Sequence, residues 1–179
     1  MHNGCQTMVN ERILNMVWMQ ALWFAAVIGA AADYNWPAGL VLLAFIVWQT
    51  RPARHAKGDV QLVLVAVVMG FLFDTFWVKL DWLVFQAAAT PRLAPFWIVM
   101  LWAGLALTIN HSLAWLQTNR SLGALMSGVA CPLSYLGAEK LGAVQIVPDS
   151  NLWWLVMGAT WAAVVPFLLW LAIKLKSAL

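Results

Sequence analysis

The chain has 179 residues, of which 64% are apolar and 9% charged. Soluble domains carry about 25% charged residues, so a water-facing surface of normal size is excluded and lipid must solvate much of the chain. The net charge of +3 is too small for a nucleic-acid footprint, and the length leaves room for one compact membrane domain without an added soluble one. Cys5 and Cys131 imply no disulfide framework.

A spanning helix needs about 20 mostly apolar residues, and six segments qualify in chain order. Residues 1–12 read as a disordered cytoplasmic tail, with Met8 an alternative start. The first span runs from Ile13 to about Ala32. Ala30 and Ala32 offer a signal-peptidase-like site, but Asn15, Gln20 and an Arg12 offset by Glu11 argue for a retained helix. The second, Asn35–Gln49, is short, so that it crosses with little tilt or in thinned lipid or is partly re-entrant; Pro37 falls in its first turn, where a missing N–H costs little. The third covers Val60–Val78. The segment Asp81–Ala94 contains Trp82, Leu83, Val84 and Phe85 and reads as lying flat at the interface. The fourth span is Pro95–Leu116, the fifth Leu122–Leu141 and the sixth Leu152–Ile173, with Pro166 as a kink. These readings give an all-α, six-helix membrane domain over residues 13–174 and a short cytoplasmic tail over 175–179.

Loop charge orients the bundle. With the N-terminus inside, the inner loops hold Arg12, Arg51, Arg54, Lys57, Arg120, Lys174 and Lys176, against Lys79, Arg92 and Lys140 outside. The acidic Asp33, Asp81, Glu139 and Asp149 fall outside. Thirteen Trp add a second signal, because indoles favour the headgroup boundary. Trp36, Trp82, Trp97, Trp153 and Trp154 gather at the outer ends, and Trp48, Trp115 and Trp170 at the inner ends. Both point to a bacterial inner-membrane protein with both termini in the cytoplasm.

Chemistry in such a protein rests on polar groups in hydrocarbon, which are expensive and face the bundle interior. Asp74 reads as a proton carrier or base, or as a structural carboxylate paired with Lys79 or Lys140. Thr108, His111, Ser112 and Trp115 follow helical spacing on one face, with Asn110 pointing elsewhere. His111 suits proton transfer or headgroup recognition, or interhelical hydrogen bonding. Cys131, Tyr135 and Glu139 form a stripe spaced by four, beside Pro132. Glu139 and Lys140 read as an interfacial anchor, or Glu139 joins Asp74 and Tyr135 in an outward-facing pocket. Asp74 and Glu139 share the outer half and His111 the inner half, so a direct Asp74–His111 bond is not expected.

Several familiar chemistries find no motif. Clustered His boxes, paired axial His for haem, a Cys metal pair and a phosphate-binding Gly loop do not occur in the sequence. Ser127-Gly128 with His111 lacks a third orienting group. No cofactor and no metal is expected.

Gly70–Asp74, Pro95–Trp102, Thr108–Leu116 and Cys131–Tyr135 carry motifs of the form GxxxD, PxWxxxLW, TxNHSLxWL and PxSY, followed by Leu141-Gly-Ala143. From about Asn15 onward the chain resembles a family of uncharacterised bacterial inner-membrane proteins catalogued as a domain of unknown function. The resemblance marks Asp74, Asn110, His111, Ser112, Pro132 and Tyr135 as motif positions and assigns them no role. Genes of that family often neighbour genes for fatty-acid-modifying enzymes of the cyclopropane synthase type and for oxidative-stress regulation. By association this implies membrane lipids, and a lipid-modifying enzyme, as partners. Three classes stay open: an accessory or binding protein in a lipid process, a lipid-active enzyme using His111 with Asp74 or Tyr135, and a small transporter or flippase using Asp74 and Glu139.

Overall fold

A computed structural model describes residues 2–52, 54–148 and 151–178, with the backbone alone for 2–8. The Cys5 side chain and Asp149 lie outside the described residues. Six α-helices alternate in direction: α1 His2–Ala31, α2 Trp36–Gln49, α3 Asp59–Lys79, α4 Phe96–Ile109, α5 Arg120–Lys140 and α6 Asn151–Ala178. Two three-residue strands, β1 Leu83–Phe85 and β2 Val144–Ile146, pair at one end, the ribbon end. The start of α1 and the end of α6 lie at the other, the terminal end. Consecutive helices pack as antiparallel pairs; α4 also meets α1 and α2, and α6 meets α3. Contacts therefore run from α1, α2 and α4, which pack on one another, through α3 to α6 and α5.

Local chemistry explains most boundaries. Pro37 opens α2 where no backbone donor is needed. Asn119 caps α5, its side chain accepting from Leu122 N at 3.1 Å. The α1 helix runs back to His2, beyond the start expected at Ile13. A tertiary clamp holds the stretch around Glu11: Arg54 donates to both Glu11 oxygens and lies with its guanidinium 4.6 Å from the Trp48 ring centre.

The largest departure from expectation is α4. Hydropathy continues to Leu116, but the helix stops at Ile109, and Ala114–Gln117 forms only a 3₁₀ turn. His111 N and Leu113 N both fold back on the Thr108 carbonyl, at 3.0 and 2.9 Å. Asn110, His111 and Ser112 all have polar partners off the helix, so side-chain satisfaction ends α4 early. Within the segment 81–94, Leu83–Phe85 forms one strand of the ribbon. Leu83 pairs with Ile146 and Phe85 with Val144, both β1 side chains buried, Val84 exposed. Trp97 and Trp153, expected at the boundary, are buried core.

The outside of the bundle is apolar. Leu64, Leu125 and Leu155 are each more than 60% exposed, the pattern of a surface solvated by lipid. Four helices, α1, α3, α5 and α6, are long and apolar enough to cross a membrane, and each buries a third or less of its apolar window. The α2 and α4 helices have 14 residues each, or about 21 Å, against a hydrocarbon thickness of about 30 Å.

One proline and two glycines explain the close α5–α6 contact. Pro132, lacking an N–H, leaves the Gly128 carbonyl without its helical donor. That carbonyl faces Gly158, where an added Cβ would lie 2.9 Å from it; a Cβ on Gly128 would lie 3.1 Å from the Gly158 carbonyl. Glycine on both sides lets the backbones touch, so weak C–H donors approach the freed oxygen. Gly158→Val is expected to force the pair apart and destabilise the protein by about 1–3 kcal/mol, read as a lower midpoint of thermal unfolding in detergent.

Candidate functional site

Two polar nodes occupy the interior, each built on one aspartate. At the ribbon end, Asp74 is fully buried. Trp102 Nε1 donates to Oδ2 at 2.7 Å and Tyr135 OH to Oδ1 at 2.6 Å. One carboxyl therefore ties α3, α4 and α5 together. Gly70 lies one turn before Asp74 on the same face, and an added Cβ there would sit inside the Trp102 indole. The glycine seats the ring and the aspartate, one turn on, receives its N–H. Trp161 of α6 stacks on Trp102, with centroids 4.8 Å apart and planes at 20°, and Phe73 meets both edge-on. The expected pairing of Asp74 with Lys79 or Lys140 does not form: among the described residues no ion pair reaches Asp74, and both lysines are exposed.

The expected grouping of Asp74, Tyr135 and Glu139 is only partly realised. Asp74 and Tyr135 meet, but Glu139 accepts from Ile146 N at 2.8 Å and holds β2 against the end of α5. The reason is direction: Glu139 is one turn beyond Tyr135, level with the ribbon, whose backbone donor needs an acceptor.

Beside Tyr135 lies a cavity of about 110 Å³, walled by Met19 and Trp23 of α1, Leu105 of α4 and Cys131 of α5, with Trp102 and Trp161 behind. Its lining is almost wholly apolar. Met19, Trp23, Leu101, Leu105, Cys131 and Ser134 are half-buried, so the cavity communicates with the apolar exterior.

At the terminal end, two chains of donors converge on Asp59. In the first, Ser112 Oγ donates to Asn15 Oδ1 (2.6 Å), and Asn15 Nδ2 to Gln49 Oε1 (2.7 Å). Gln49 Nε2 then meets the His111 ring (3.1 Å), and His111 Nε2 meets Asp59 Oδ2 (2.9 Å). Asp59 needs a donor and Gln49 an acceptor, which assigns the proton to Nε2 and leaves Nδ1 to accept. In the second, Lys176 Nζ donates to Gln117 Oε1 (3.4 Å), Gln117 Nε2 to Asn110 Oδ1 (3.0 Å), and Asn110 Nδ2 to Asp59 Oδ1 (2.8 Å). Ala56 N adds a third donor at 2.9 Å. Residues of α1, α2, α3, α6 and the α4–α5 connection thus share one network.

His111 and Asp74 occupy separate networks. Thr108 joins neither through its side chain, which donates to the Leu105 carbonyl at 2.6 Å, and the expected common face of Thr108, His111 and Ser112 is lost where α4 ends. Sequence reasoning missed Asp59, Gln49 and Gln117 as site members. Asp59 and Gln49 sit at span ends, where a polar residue looks like a loop boundary. It also missed Trp102 as a polar partner, although the Gly70–Asp74 spacing is the signal for a seated ring. No group of three or more metal-binding side chains occurs among the described residues.

Gly70→Ala is expected to displace Trp102 and leave Asp74 short of a donor, lowering stability by about 1–3 kcal/mol. A double-mutant cycle of Gly70→Ala with Trp102→Phe then shows strong coupling in detergent unfolding midpoints, the second change costing little after the first. At the other node Asp59→Ala costs more than His111→Ala, because it strands three donors instead of one; reversed midpoints would refute the convergence on Asp59.

No curated protein and no solved structure matches the chain. A family model described as "Protein of unknown function (DUF2878)" matches residues 12–167. That span covers both aspartate nodes apart from Lys176, the cavity, and all four motifs read from the sequence, so the chain belongs to the DUF2878 family.

Proposed function

We propose that the protein is a six-span protein of the bacterial inner membrane, with both termini cytoplasmic, that holds a membrane lipid in the cavity beside Tyr135. The observation that carries this reading is the cavity itself: apolar, aromatic-walled, and in contact with the lipid-facing surface. Sites of this kind, mostly apolar with a few placed polar groups, suit small apolar ligands. Loop charge supports the orientation, with Lys79, Arg92 and Lys140 at the ribbon end and the other seven basic residues toward the terminal end. The cavity then opens in the outer leaflet. Such a protein acts as an accessory in a membrane-lipid process, presenting its ligand to a lipid-modifying enzyme.

The transport reading has less support. Glu139 is committed to the ribbon, and Asp74 and His111 bond to different partners, so no chain of polar groups joins the two ends among the described residues. For an enzyme, Asp74 and Tyr135 are closed on each other and His111 is held between Gln49 and Asp59.

Ser134→Leu fills the cavity from its half-exposed edge. In a strain lacking the gene, this variant is expected to reproduce the deletion's altered membrane-lipid profile, whereas a folded His111→Ala protein restores the normal one. A normal profile with Ser134→Leu, beside a changed profile in the deletion, would remove the cavity from the function.

A further inference from the structure

One polar side chain in the middle of a spanning helix faces outward. The apolar span of α1 runs from Val9 to Ala31, and Gln20 is its central residue, with about 16 Å of helix on either side. Gln20 is exposed, and among the described residues its amide has no hydrogen-bond partner. Every other exposed amide, hydroxyl or charged side chain described on the four helices able to span lies within five residues of an end of its span, where headgroups and water are in reach. Asn15 on the same helix is the contrast. It faces inward, donates to Gln49 and to the Leu107 carbonyl, and accepts from Ser112.

Hydrocarbon offers the Gln20 amide neither a donor nor an acceptor, and headgroups at either boundary are too far away to help. Its complement must therefore come from another helix. The neighbours of Gln20 on that face are apolar and equally open: Ile13, Val17 and Phe24 are each more than half exposed. With Gln20 they recur at steps of four, three and four, the spacing of a helix–helix seam. A single polar residue within such a seam fixes its register and the number of helices that join it.

We infer that this face of α1 is the contact between two copies of the chain, joined by reciprocal Gln20 hydrogen bonds. A second copy fits on three counts. Copies inserted in one membrane share one orientation, so a two-fold axis along the membrane normal sets each residue of the seam opposite itself at the same depth. A glutamine amide both donates and accepts, so two Gln20 side chains complement each other with no further partner. The stretch from Ile13 to Ile28 carries no charge, so nothing repels a like surface. The pairing does not depend on what the cavity beside Tyr135 holds.

The test uses the full-length protein, in native membranes and after purification into phosphatidylglycerol vesicles. Gln20→Leu replaces the outward amide with an apolar group of similar size and leaves the interior of the bundle untouched. Energy transfer between donor- and acceptor-labelled copies, across a series of protein-to-lipid ratios, gives the dissociation constant of the pair. It is expected to rise about ten-fold in Gln20→Leu, the worth of two hydrogen bonds between membrane helices. In a background carrying Cys5→Ala and Cys131→Ala, Val17→Cys is expected to give a disulfide-linked dimer on oxidation, whereas Leu155→Cys, exposed on α6, does not. Wild-type copies that stay monomeric at the highest protein density would overturn the inference. So would a pair as strong in Gln20→Leu as in the wild type, or one crosslinked through Leu155→Cys in place of Val17→Cys. In native membranes, Val17→Cys crosslinked to a species other than its double would give the seam to a different protein and overturn the pairing of copies.

Discussion

Polar groups inside an apolar-coated bundle have only each other for partners, and this constraint shapes the molecule. The response is two carboxyls, each an acceptor on which several helices converge. Asp59 is the endpoint of two donor chains that begin at Ser112 and Lys176. Because Asp59 only accepts when ionised, it sets the direction of the bonds behind it, including the orientation of the Asn15, Gln49, Asn110 and Gln117 amides and the His111 tautomer. Asp74 performs a smaller version of the same task for α3, α4 and α5. Hydrophobic attraction alone is weak between helices in lipid, so such bonds, with close glycine contacts, specify which helices are neighbours.

Short-range spacing and long-range contact are linked at Gly70. A side chain there would occupy the place of Trp102, and without Trp102 in place Asp74 loses a donor. The same logic appears between α5 and α6, where Pro132 frees a carbonyl and Gly158 admits its approach. In both cases a residue without a side chain, or without an N–H, matters through what it lets another element do. The cavity follows from this frame: the stack of Trp102 and Trp161 that backs it is held by Gly70 and Asp74.

Much of the helical framework is legible in the sequence. The α3, α5 and α6 boundaries fall within a few residues of the apolar runs, and Pro37 marks the start of α2. The end of α4 is not legible from hydropathy, because Leu113, Trp115 and Leu116 prolong the apolar signal after the backbone has turned to satisfy Asn110, His111 and Ser112. The ribbon is invisible for a related reason: three-residue strands 60 positions apart leave no local period. For the polar sites, intramembrane position identifies Asp74, Tyr135, Asn110, His111 and Ser112 as groups needing partners. It cannot say which groups pair, since that depends on helix neighbours: spacing alone groups Glu139 with Asp74, and Asp59 at a span end reads as a loop boundary.

The two short helices have a consequence for the bilayer. The α2 and α4 helices pack against each other, and at about 21 Å each they stand about 10 Å short of the 21-residue α5 on the opposite flank. A body in a bilayer that is thick on one side and thin on the other is a wedge. In a six-span arrangement, lipid along the α2–α4 flank would shorten or tilt to match it, at a modest cost per ångström that favours shorter or more disordered chains there. The Asn15–Gln49–Asp59–Asn110 network closes both helices at the terminal end: Gln49 is the last residue of α2, and Asn15 donates to the Leu107 carbonyl in the last turn of α4.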